Sequence, residues 1–175
     1  MRYLEDESFS WDLVGSIKNA KYVRKQFYSY NVNPNVDTAI SSGLLLGYPI
    51  DNFKLVRNHI NRTMKNLKMK KFEKNKLSDQ AFIFFIISAL ISITRSIFLK
   101  KIDKKLGFTV RKKMIDEILS DKEVKHSIKN YSASPQESKF IPLAIALGGT
   151  KLLELACDFR AKQIIKLRRM GGKSM

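Results

Sequence analysis

The chain has 175 residues, 44% of them apolar, which suffices for a domain with a packed core and argues against disorder throughout. Lys and Arg number 33 against 16 Asp and Glu, a formal net charge of +17 and a pI near 10.0. Such an excess calls for an anionic partner, either nucleic acid or acidic lipid. The charge is spread along the chain: 14 basic and 8 acidic residues in 1–80, 11 and 6 in 100–139, 7 and 2 in 140–175. No section is a separate cationic tail. The single cysteine, Cys157, excludes an internal disulfide and a cysteine-based zinc cluster within one chain. In "LLELACDF" it reads as a small buried hydrophobe. The N-terminal "MRYLEDESFSWDL" carries acids and no apolar core, so neither a signal peptide nor a transit peptide is expected there.

Nearly every segment reads as helix. Ser10 can cap a helix over 10–30, with Leu13, Ile17, Ala20, Val23 and Phe27 inward and Lys18, Lys21 and Lys25 outward. "NVNPNVD" breaks the chain, and a short helix through "VDTAISSGLLLG" should stop at Gly47, just before Pro49. Over 50–71, Phe53, Val56, Ile60, Met64 and Leu67 recur at steps of three and four, beside Lys54, Arg57, Asn61, Lys65 and Lys68. This pattern predicts a basic amphipathic helix, fit for a lipid surface or a phosphate backbone.

The stretch 81–99 decides the class. It has no charge from Ala81 to Thr94 and only three hydroxyls, Ser88, Ser92 and Thr94; Arg95 then interrupts before Leu99. Its 19 residues would span about 28 Å as a helix, close to the roughly 30 Å of a bilayer core. Arg95, Lys100 and Lys101 would mark the membrane boundary, because a charge near a helix end can reach the headgroups. The alternative is a buried helix at the centre of a bundle, covered by the amphipathic helices around it. Length and hydropathy together favour the membrane. Lysines flank both ends equally, however, so charge asymmetry assigns no orientation.

After this stretch, "LGFTVRKKMIDEILSD" places Val110, Met114, Ile115 and Ile118 on one helical side. Ser120 and Glu123 have capping-box spacing and should open a short helix with Val124 and Ile128 inside. "NYSASPQES" predicts a loop in which Ser134, Pro135 and Glu137 take the cap, first and third positions of a last long helix. Pro142 and Gly148-Gly149 should kink or break it, and its second half should turn Leu152, Leu155, Ala156, Phe159 and Leu167 inward.

Chemistry is sparse. His59 and His126 sit in no ligand spacing, "ALGGTK" lacks the phosphate-wrapping spacing, and no nucleophile stands beside a base. The expectation is therefore an all-α bundle of seven or eight helices around 81–99, non-enzymatic and without metal or cofactor. Its regions are 1–80, 81–99 and 100–175, or a single domain if 81–99 is a core helix. It is expected to be membrane-associated on a reducing, cytoplasmic side, acting through acidic lipid or a membrane protein. A soluble nucleic-acid binder in the cytoplasm, or an adaptor in a larger assembly, is the alternative. The candidate anion-binding residues are Lys18, Lys21, Lys25, Lys54, Arg57, Lys65, Lys68, Arg168 and Arg169.

The two readings give Arg95→Leu opposite signs. In a bilayer the substitution lengthens the apolar span and strengthens insertion, since a charge in the span costs on the order of 1–3 kcal/mol. In a bundle it exposes apolar surface or strands a carboxylate and lowers stability by roughly 1–4 kcal/mol. Membrane partition and thermal stability in detergent-free buffer, measured beside the wild type, separate the two.

Overall fold

A computed structural model describes residues 50–65, 68–99, 103–135 and 137–171. The two helices expected within 1–49 lie outside the described residues. Among those described the architecture is all-α, with six α-helices and no strand; the expected seven or eight included the two within 1–49. They are α1 (Ile50–Lys65), α2 (Lys71–Phe98), α3 (Lys104–Ser120), α4 (Lys122–Ser127), α5 (Phe140–Leu147) and α6 (Thr150–Gly171). A 3₁₀ turn, Ile128–Asn130, extends α4.

The helix expected over 50–71 is two pieces of structure. α1 ends at Lys65, and Lys68–Lys70 lie outside any helix. α2 then begins ten residues earlier than the apolar run implied. Its start follows from local bonding: the backbone of Lys70 is extended, and its N–H donates to the Glu73 carboxylate at 3.0 Å. The division expected between residues 80 and 81 therefore falls inside one continuous helix.

α2 is the centre of the bundle. Phe82, Ile83, Ile86, Ile87, Leu90, Ile93 and Ile97 are buried against Phe53 of α1, Met114, Ile115 and Ile118 of α3, and Val124 of α4. Ile141, Ala144 and Ile145 of α5, with Leu153, Ala156 and Cys157 of α6, close the same core. The amphipathic arc of α1 behaves as its spacing predicts: Val56, Ile60 and Met64 form a second cluster against Leu77, Ala81 and Phe85. By length and composition alone α2 could cross a membrane, yet half of its most apolar window is buried by the rest of the chain. The polar stripe read along it divides: Ser88 is exposed, Ser92 and Arg95 are half-buried, and Ser96 is buried.

The last long helix is broken where the glycines stand. Gly148 has φ 70°, a left-handed conformation that glycine adopts without steric cost, and it closes α5 by donating to the Ile145 carbonyl at 3.1 Å. α5 begins at Phe140, later than expected. Glu137 is used instead to tie the preceding loop, accepting from the Ser134 N–H at 2.7 Å and from the Tyr131 hydroxyl at 3.0 Å. Pro142 then sits in the first turn, where its missing N–H is no loss. The cap of α4 is Asp121 rather than Ser120, because the Asp121 carboxylate accepts from the N–H groups of Glu123 and Val124 at 2.8 and 3.0 Å.

One expectation about packing is reversed for the bulky residues, while Ala156 faces inward as expected. Leu152, Leu155, Phe159 and Leu167 of α6 face outward, and Leu153, Ala156, Cys157 and Ala161 face the core. Apolar residues occupy more than one side of α6, so periodicity alone did not choose between them. The inward arc includes the small Ala156, Cys157 and Ala161, which suit close packing against α2.

Buried polar groups fix how these elements meet. Asp79, on α2, is paired with Arg57 Nη2 of α1, accepts from Ser127 Oγ at 2.8 Å and accepts from Asn130 Nδ2 at 2.7 Å. The Arg57 guanidinium also stacks over Phe82, 5.0 Å from the ring centre. Farther along α2, Arg111 of α3 pairs with Asp158 of α6 and donates to the buried Thr94 hydroxyl at 3.5 Å. Gln80 exchanges two hydrogen bonds with the backbone of Ser132, at 2.5 and 2.9 Å. Asp79→Ala leaves Arg57 with Glu123 as its remaining carboxylate and strands the Ser127 and Asn130 donors, so stability should fall by about 2–4 kcal/mol. A shift of the urea midpoint with an unchanged slope would register that loss.

Candidate anionic-surface interface

The predicted cations separate into three groups. Lys18, Lys21, Lys25, Lys100 and Lys101 lie outside the described residues. Lys65 and Lys68 are exposed, the first on the last residue of α1 and the second in the connection to α2. Arg168 and Arg169 fall in the final turns of α6. Arg95, expected at a membrane boundary, is half-buried in the last turn of α2.

Lys54 and Arg57 form the third group, and they are committed internally. Lys54 Nζ lies 2.5 Å from Asp121 and 3.8 Å from Glu123, and Arg57 is shared between Asp79 and Glu123, the latter at 3.2 Å. Their charges serve to hold α1 against α4 and are not free for phosphate. A hollow of about 340 Å³ beside them is lined by Arg57, Asn58, Asn61, Lys122, Glu123 and His126. Glu123 on its wall offsets the cations there. Among the described residues no group of three or more His, Cys, Asp or Glu side chains is placed to hold a metal ion.

The surface that does combine free cations with apolar side chains is one the sequence reading placed in the core. On α6, Leu155 and Phe159 are 66% and 61% exposed, and Leu152 lies beside them. Lys151, Lys162 and Lys166 are exposed on the same arc, at offsets of one, three and four residues. The Lys162 ammonium sits 5.3 Å from the centre of the Phe98 ring at the end of α2. The two acids of α6 do not dilute this face. Asp158 is paired with the buried Arg111, and Glu154 is half-buried. A signal for this arrangement exists in the sequence: Leu153, Cys157 and Ala161 recur every four residues, and the lysines interleave with the bulky set rather than opposing it.

Cys157 is fully buried, and its thiol is pushed up to about 12, chiefly by burial, with Arg111 partly opposing and Asp158 and Glu154 reinforcing the shift. It packs as a small hydrophobe. Comparison of the chain with known protein families, curated proteins and solved structures finds no match.

The Lys54–Asp121 pair sets a pH window. Burial works to raise the Asp121 carboxyl, but the Lys54 hydrogen bond, the Val124 N–H, the Lys54 charge and the Glu123 N–H together hold it below its ordinary 3.8. Lys54 is raised above its ordinary 10.5, first by the hydrogen bond to Asp121, with burial opposing and nearby carboxylates helping. A depressed carboxyl stabilises the fold above 3.8 and loses that contribution as pH falls through its folded value. A raised amine stabilises below 10.5 and loses it as pH rises through its folded value. Asp121→Asn keeps a cap acceptor and removes the charge. Its Tm deficit against wild type should hold between pH 3.8 and 10.5 and close on the acid side, in melts recorded across that range.

Proposed function

We propose that this chain is a non-enzymatic helical protein that binds acidic membrane surfaces from the outside, with α2 kept inside its own bundle. One observation carries the reading: Leu152, Leu155 and Phe159 stand exposed among Lys151, Lys162 and Lys166, with neither acid of α6 exposed. An interfacial helix binds by burying apolar side chains at the headgroup boundary while cations meet lipid phosphates. Both parts are on one face of α6. The reading differs from insertion of 81–99, because half of that helix's most apolar window is already buried by the rest of the chain, chiefly Phe82, Ile83, Ile86, Ile87, Leu90, Ile93 and Ile97.

Nucleic acid is the less favoured anion. A phosphate backbone calls for free cations and gains little from exposed leucines. Two of the cations first assigned to it, Lys54 and Arg57, are neutralised by Asp121, Glu123 and Asp79.

Each well-placed lysine contributes about 1 kcal/mol at an acidic leaflet. Replacing Lys151, Lys162 and Lys166 with Gln should therefore weaken binding to phosphatidylserine-containing vesicles on the order of a hundredfold at low salt. Vesicle co-sedimentation measures this, with pure phosphatidylcholine vesicles as the neutral comparison. Equal recovery with both vesicle types, or a gel shift with mixed RNA and DNA in the absence of vesicle binding, would overturn the reading.

A further inference from the structure

α5 has the composition "FIPLAIAL" and carries no charge. Its inward residues Ile141, Ala144 and Ile145 are buried in the core. Its outward residues are just as apolar: Phe140, Leu143 and Leu147 are 64%, 53% and 67% exposed. At 100° per residue these three fall within about 60° of one another. A solvent-facing strip this apolar, on a helix without a single cation or anion, is not explained by packing among the described residues.

We infer that α5 is the element that enters the lipid, with Phe140, Leu143 and Leu147 passing below the headgroups while the lysines of α6 remain at phosphate level. The inference rests on the membrane-surface reading above and assigns the depth of each part. Charge placement supports it. Lys139 precedes α5 and Lys151 follows the Gly148-Gly149 corner, so the nearest cations flank the uncharged helix on both sides. A second copy of this chain fits poorly as the occupant, because pairing this face with itself would bring the flanking Lys139 and Lys151 of one copy near those of the other. An acidic bilayer answers both features, apolar below and anionic at its surface.

The shape is suitable as well. α5 is about 12 Å long, too short to cross a bilayer and sufficient to lie in its interface, where amphipathic helices sink roughly 5–10 Å. Pro142 in its first turn and left-handed Gly148 at its end confine it to that length.

The test uses the full chain with Trp11→Phe, so that one introduced tryptophan reports depth. Phe140→Trp is compared with Leu55→Trp, an exposed position on α1, in phosphatidylserine vesicles that also contain bromine-labelled phosphatidylcholine. Quenching and a blue shift at position 140, with neither at position 55, is the expected result. Leu143→Ser combined with Leu147→Ser should lower partition by tenfold or more, since half-exposed leucines lose their burial in lipid. Co-sedimentation without quenching at position 140 would overturn the depth assignment and leave surface binding standing. Absence of co-sedimentation would remove both. A dimer in sedimentation equilibrium that the double serine variant abolishes would give this face to a second copy and overturn the inference.

Discussion

A buried carboxylate is the constraint on which the rest of this bundle depends. α2 is apolar on nearly every side over its middle turns, and such a helix has no hydrophobic pattern to fix its rotation or its depth among its neighbours. Asp79 supplies what the pattern lacks. Its two oxygens engage Arg57, Ser127 and Asn130, so α1, α4 and the turn after α4 must all arrive at one point. Sliding or rotating α2 would leave a charge in the interior without partners, and burying such a charge is far more costly than rearranging methyl groups. The second pin, Thr94 with Arg111 and Asp158, lies about 22 Å farther along the same helix and holds α3 and α6. Between the two pins the buried side chains of α2 are hydrocarbon alone.

This arrangement explains why a stretch with the length of a membrane span can serve as a core. Hydropathy measures how much a segment gains by leaving water, and it is indifferent to whether lipid or protein receives it. What distinguishes α2 is the supply of partners within the chain. α1, α3, α5 and α6 each carry an inward stripe, and together they cover the side of α2 that Asp79 and Thr94 orient.

Much of this was legible in the residues. The helical class, the arc of Phe53, Val56, Ile60 and Met64, the break at Gly148 and the burial of Cys157 all follow from spacing and local chemistry, and the structure has each of them. The failures have a common cause. Lys54 and Arg57 looked like free cations because Asp121 and Asp79 are distant in sequence, and no local pattern reveals a pairing across 67 or 22 residues. The outward face of α6 was hidden for a related reason. Leu152, Leu155 and Phe159 are at helical spacing, and so are Leu153, Cys157 and Ala161. Choosing between two apolar arcs requires knowing the shape of the neighbour. The early start of α2 turned on one side chain, Glu73, reaching back to the Lys70 N–H.

The division of labour between the two basic residue types has a consequence for how ionic strength acts on this molecule. Of the arginines with described side chains, Arg57, Arg95, Arg111 and Arg160 are buried or half-buried and Arg62 is exposed, whereas the lysines with described side chains are exposed apart from Lys54 and Lys74. Planar guanidinium groups suit internal pairing and stacking, and hydrated ammonium groups suit the outside. The positive field is therefore largely a property of a lysine shell that repels itself, while the interior pairs are shielded from solvent ions. Added salt relieves the shell, with a screening length of about 10 Å at 0.1 M, and leaves the pins intact. Ionic strength then strengthens the free fold, and on the proposed reading it would at the same time weaken the hold on an anionic surface. An anionic surface of the kind proposed would neutralise the same shell, and would do for the bound protein what salt does for the free one.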